Sequence, residues 1–123
     1  MHKLIILFEQ DPLGTAFQPG WQRFLSLAEK IPGLRGQLVS NVERLVFGKP
    51  EHTYVRIHEL LFDTREALET ALRSPEGQDA GRFLQMFTRG KVTLLTAVHL
   101  EDRKETPGAP RKSIKLKPRR SKK

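Results

Sequence analysis

The segment from Tyr54 to Gly77, YVRIHELLFDTREALETALRSPEG, constrains this chain more than any other, because it leaves almost no room for a loop. Tyr54 to Phe62 is rich in β-branched, aromatic and aliphatic residues, a composition that suits a pleated and largely buried strand. Asp63 then offers an N-cap oxygen, with Glu66 three residues on to answer it, ahead of the apolar pairs Ala67/Leu68 and Ala71/Leu72. Ser74-Pro75-Glu76 starts a second helix with a cap, a rigid first-turn proline and an acid near the positive end of the helix dipole. A strand must therefore feed directly into a helical arm made of two pieces.

The other elements follow from periodicity. His2 to Phe8 is a continuous apolar strand, broken by Asp11-Pro12-Leu13-Gly14. A helix follows, with Pro19 near its first turn and Trp21, Phe24, Leu25, Ala28 and Ile31 at helical spacing, and Pro32-Gly33 ends it. Arg35 to Phe47 reads as one long strand with mixed polar positions, turned towards Tyr54 by Gly48-Lys49-Pro50. From Pro75, Ala80, Phe83, Leu84 and Phe87 recur as one helix face until Gly90, and Val92 to His99 is the last strand. The order β-α-β-β-α-β is the ferredoxin-like α+β arrangement, an antiparallel four-stranded sheet with helices on one face.

That arrangement leaves a surplus of apolar surface. The strands are apolar on both alternations, as in Leu4/Ile6/Phe8 against Ile5/Leu7, whereas the helices cover only one sheet face. The other face exceeds what a lone subunit tolerates exposed, and a symmetric homodimer packed sheet against sheet would bury it.

Charge divides the chain in two. The net charge is +8, but Arg103 to Lys123 alone carries ten basic residues against Glu105, so the preceding 102 residues sum to −1. We divide the chain into a globular domain, 1–102, and a basic tail, 103–123, which holds three prolines and too few apolar residues to fold alone and is expected to be disordered. Lys115, Lys117, Arg119, Arg120, Lys122 and Lys123 could neutralise phosphates and give nonspecific nucleic-acid affinity; a merely solvating extension is the equal alternative. With no cysteine there is neither disulfide nor thiolate site, which fits a cytoplasmic protein. The run Leu4 to Phe8 is too short to span a bilayer, and no secretory leader is recognised, so no membrane partner is expected.

Few residues offer chemistry. His58 shares an alternation with Tyr54, Arg56, Leu60 and Phe62; if that face lines a barrel interior, His58 and Arg56 could bind or protonate an enolate or carboxylate. A structural histidine and an interface arginine are the commoner outcome on such a strand. Glu59, on the opposite alternation, is either an available buried acid or a carboxylate paired with an arginine or backbone donors, and the second is commoner. Trp21, Phe24, Phe83 and Phe87 could wall an apolar ligand pocket between helices and sheet, with Tyr54 and Arg56 at its edge, although aromatics at helical spacing more often form plain core. The four histidines show no metal-ligand spacing, and dinucleotide, phosphate-loop and Ser-His-Asp signatures are missing, so neither a metal nor a cofactor is expected.

Four short motifs occur in order: Ile31-Pro32-Gly33-Leu34-Arg35, Glu59-Leu60-Leu61-Phe62-Asp63, Ser74-Pro75-Glu76-Gly77, and Phe87-Thr88 ahead of Val92-Thr93. Together they resemble the EthD family of dimeric α/β-barrel proteins over essentially residues 2 to 101. The resemblance implies a dimeric barrel, a small hydrophobic ligand and, where there is catalysis, a cofactor-independent oxidoreductase, cyclase or isomerase acting on a small carbonyl or phenolic compound. A metabolite-binding or stress-related dimer without turnover is the alternative. Many members carry a histidine, with a proline two residues later, in the helix before the Pro-Gly-Leu turn; here those positions fall near Phe24 and Ser26, so that histidine has no counterpart.

Overall fold

A computed structural model describes residues 1–10, 17–49 and 53–100. The elements are β1 (His2–Glu9), α1 (Phe17–Ala28), β2 (Gly36–Asn41), β3 (Tyr54–Phe62), α2 (Arg65–Arg73), α3 (Pro75–Thr88) and β4 (Val92–Val98). The four strands form one antiparallel sheet in the order β2-β3-β1-β4, the ferredoxin-like arrangement expected from the sequence. The basic tail, including Lys115 to Lys123, lies outside the described residues, as does the break at residues 11–14. Among the described residues no helix is long and apolar enough to cross a membrane.

The sheet is organised by its central pair. The register sets Leu4 opposite Leu60, Ile6 opposite His58 and Phe8 opposite Arg56, so these side chains share one face. Leu4, Ile6, Phe8, Leu60 and Phe62 of that face are buried under Trp21, Phe24 and Ala28 of α1, Leu68 and Ala71 of α2, and Ala80 and Leu84 of α3. On the other face stand Ile5, Leu7, Val55, Ile57 and Leu95, which no helix covers. Amid them Lys3 and Glu59 form an ion pair at 2.5 Å, with side chains 15 % and 16 % exposed. Glu59 is thus paired, with a lysine rather than with the arginine or backbone donors its strand suggested.

Two sequence expectations are corrected. The N-cap of α2 is Thr64, not Asp63: Thr64 is extended (φ −136°, ψ 166°) and its hydroxyl accepts from the Ala67 N–H at 3.0 Å. The Asp63 carboxylate instead faces the guanidinium of Arg35 at 3.6 Å. Adjacent cap-competent residues are separated only by the backbone, and here the extended conformation falls one residue later. The second strand ends at Asn41 rather than Phe47. Its ladder with β3 runs only as far as the bond from Val42 N–H to the Val55 carbonyl, because β3 begins at Tyr54 and offers no further partner. Leu45, Val46 and Phe47 are left exposed, Phe47 at 94 %.

The second cap is as read. Ser74 Oγ accepts from the Gly77 N–H at 3.0 Å and donates to the Ala71 carbonyl at 2.7 Å, which splices α2 to α3 across one residue. The splice brings the chain so close that a Cβ on Gly77 would lie 2.0 Å from the Ala71 carbonyl oxygen, whereas one on Gly81 would meet nothing within 4 Å. Gly77→Ala should therefore destabilise by about 2 kcal/mol or more, since backbone must move, while Gly81→Ala should stabilise by about 0.5–1 kcal/mol through helix propensity. Urea-denaturation midpoints of the two variants check this, and similar midpoints would refute the tight splice.

Candidate functional site

The alternation Arg56, His58, Leu60 faces the helices. His58 is 0 % exposed beneath α1. Its ring packs edge-on against Phe24 (centroids 5.6 Å apart, 87°) and tilted against Trp21 (5.9 Å, 59°). Nε2 lies 2.6 Å from Oε1 of Gln37 on the neighbouring strand. An amide oxygen can only accept, so this bond places the proton on Nε2 and leaves the Nδ1 lone pair open. Nδ1 is buried and has no hydrogen-bond partner among the described residues; the same holds for Nε1 of Trp21.

Arg56 stands two residues before His58 on the same strand face and is not an open-face interface residue. Its guanidinium lies 4.3 Å over the Trp21 ring and 5.3 Å over Phe17, donates from Nε to Oδ1 of Asn41 at 2.9 Å and reaches Oε1 of Gln18 at 3.4 Å. The cation thus caps the aromatic cluster from the rim. Burial lowers its pKa from the ordinary value. Burial first, and the Arg56 charge second, push His58 down from 6.5 to about 4. At neutral pH the site therefore combines a neutral, hydrogen-bond-accepting imidazole with a nearby cation.

The four aromatic pocket candidates divide. Phe24 lines a cavity of about 50 Å³ between the sheet and α3, together with Ile6, Leu60, Ala80, Gly81 and Leu84. Trp21 lies over His58, and Phe83 stacks on Phe87 (5.3 Å), which in turn meets Phe8, Phe17 and Phe24. Tyr54 lines a different space, a groove of about 490 Å³ beside the open sheet face, with Leu7, Val42, Leu45, Val55 and Ile57. Sequence reasoning missed Gln37, Asn41, Gln18 and Phe17. Gln37 carried a signal, an amide sharing its alternation with Val39 and Asn41, but its partner is 21 residues away and only the strand register joins them.

Depressed titration gives a sign-definite stability effect. The unfolded state takes up a proton near pH 6.5 that the folded state takes up only near 4, so stability falls as pH drops through this window and is flat above it. The loss should be about 3 kcal/mol by pH 4. In His58→Leu, the component of the pH slope between 6.5 and 4 due to this residue should vanish, as read by urea denaturation at several pH values. An unchanged slope would refute the assignment.

No family model and no curated protein matches the chain. Among solved structures, an EthD family protein from Bacillus halodurans C-125 is 30 % identical, aligned over 81 % of this chain and 99 % of its own, with a TM-score of 0.70. A dimeric ferredoxin-like protein of unknown function from Jannaschia sp. CCS1 aligns over 80 % and 97 % of the two chains at 20 % identity and a TM-score of 0.56. An antibiotic biosynthesis monooxygenase covers 82 % and 100 % at 13 % identity and 0.54. The last two share the fold; the first, with its identity over nearly its whole length, shows more: this chain belongs to the EthD family.

Proposed function

We propose that this protein is an EthD-family homodimer that binds a small hydrophobic molecule between sheet and helices, with His58 as the polar group that holds it. The observation that carries this reading is the buried Nδ1 of His58, which faces an aromatic cluster without a partner among the described residues. A polar atom left unmet in such a place costs stability unless something visits it. The apolar cavity supports the reading: Phe24 touches the imidazole, Ile6 is its cross-strand partner, and both line the cavity wall. Catalysis of the kind the family resemblance implies, by a cofactor-independent oxidoreductase or a related enzyme, would use His58 to orient a hydroxyl or enol and Arg56 to favour its anion.

Binding without turnover is the second reading, and the low pKa of His58 favours it. An imidazole that titrates near 4 accepts hydrogen bonds at neutral pH but takes up a proton poorly. Nonspecific nucleic-acid binding rests on the tail, outside the described residues.

Dimerisation through the open face is supported by its apolar character, by the exposed segment Leu45-Val46-Phe47 and by relatives described as dimeric. Leu95, half-exposed in the single subunit, should tolerate Leu95→Glu there but not within a sheet-to-sheet interface. Light scattering should show a dimer for the parent chain and a folded monomer for the variant; a variant that stays dimeric sinks this interface. Native mass spectrometry of the purified full chain should show a small organic adduct that His58→Leu loses. Should turnover of an identified adduct also disappear in His58→Ala while affinity persists, the catalytic reading holds; unchanged turnover and affinity would remove His58 from the function.

A further inference from the structure

We infer that the segment Arg111 to Lys117 of the basic tail docks on its own domain as a fifth strand, antiparallel to β4, with Ile114 and Leu116 turned into the groove between β4 and α2. This holds whether or not a ligand enters between sheet and helices.

The β4 edge offers both parts of such a site, a backbone to pair with and an apolar groove beside it. β4 ends the strand order β2-β3-β1-β4, so among the described residues β1 is its only neighbour in the sheet. Every second residue of an antiparallel strand points its N–H and C=O away from its partner, and on an edge these groups are a template for another strand. Proteins blunt such edges with lysine, proline or a bulge. Val92–Val98, VTLLTAV, has neither charge nor proline and pairs with β1 in unbroken register. Beside it lies a groove of about 370 Å³, lined by Leu68, Glu69 and Leu72 of α2, Thr96 and Val98 of β4, and His2. Leu72, Leu94 and Val98 are 39 %, 43 % and 56 % exposed at this border.

The sequence that leaves this edge supplies the occupant. Residues 101–123 follow directly after β4, and Thr106-Pro107-Gly108-Ala109-Pro110 has the composition of a turn. Beyond it Lys112-Ser113-Ile114-Lys115-Leu116-Lys117 alternates polar and apolar at the strand period from Ser113 on. Ile114 and Leu116 are the two large aliphatic residues of the tail, and they stand two apart, on one face of a strand. Pro110 and Pro118, which cannot donate to a ladder, bracket Arg111 to Lys117, a segment as long as the seven residues of β4. Too few apolar residues make a core of their own, but a strand added to an existing edge needs only the edge and pockets for alternate side chains.

The connection must double back, which makes the added strand antiparallel. Set opposite Thr96 and Leu94, Ile114 and Leu116 share the helix-side alternation, because those two residues pair with Leu4 and Ile6. Lys115 and Lys117 then stand on the other alternation of the new outer strand, where lysine bars further pairing. A tether this short holds the segment at an effective concentration on the order of millimolar, which favours it over a second copy for the same edge.

Amide hydrogen exchange of the full chain, followed residue by residue by NMR, tests the docking. The outward amides of β4 should exchange about tenfold more slowly in the parent chain than in the Ile114→Ser/Leu116→Ser variant, and the Lys115→Gln/Lys117→Gln variant should keep the protection. Both variants leave residues 1–102 unchanged, and the β4 amides bonded to β1 are the internal control for folding. Equal exchange in the parent and the serine variant would overturn the docking. Protection that fades on dilution would give the edge to a second copy, and protection lost in the glutamine variant alone would reduce the contact to charge; either result overturns the added strand.

Discussion

Everything in this subunit depends on the register between β1 and β3. Leu4, Ile6 and Phe8 stand opposite Leu60, His58 and Arg56, so that one alternation goes under the helices and the other is left bare. A slip of β1 by one residue would turn over its own alternation, carrying Lys3 beneath the helices with Ile5 and Leu7 and parting it from Glu59, which stays on the open face. Burying a lysine parted from its carboxylate costs several kcal/mol, which helps to hold the register. In the observed register the pair lies on the uncovered face.

The element order was legible because the hydrophobic period changes cleanly along the chain, and the Ser74-Pro75-Glu76 splice because it is local chemistry. What could not be read was orientation. With Ile5 and Leu7 as apolar as Leu4 and Ile6, nothing within a strand says which alternation meets the helices, and the placement of His58 turned on that choice. The end of β2 was hidden for a related reason. Residues Leu45 to Phe47 have strand composition, but the ladder stops where β3 begins, a property of the partner and not of the segment. The cap fell on Thr64 over Asp63 through a backbone angle that composition does not encode.

The site was legible by residue type and not by arrangement. His58, Arg56, Trp21 and Phe24 were all singled out, and all four come together around one imidazole. Phe83 and Phe87 join the same aromatic cluster one shell further out, while Tyr54 lines the groove beside the open face. The family resemblance led to a missing histidine near Phe24. The structure brings the His58 ring to within 5.6 Å of the Phe24 ring from the opposite layer, so an imidazole stands in that neighbourhood although its helix lacks one.

Strand periodicity then explains the electrostatics. Residues two apart on a strand share a face, so the spacing Arg56-Ile57-His58 sets a cation beside the imidazole as a matter of backbone geometry. Burial alone would disfavour imidazolium, and the adjacent guanidinium disfavours it further. The imidazole offers a lone pair rather than a proton. At neutral pH the buried ring is therefore a hydrogen-bond acceptor and not a cation, a state set by its depth in the core and by its neighbour two residues back on the strand.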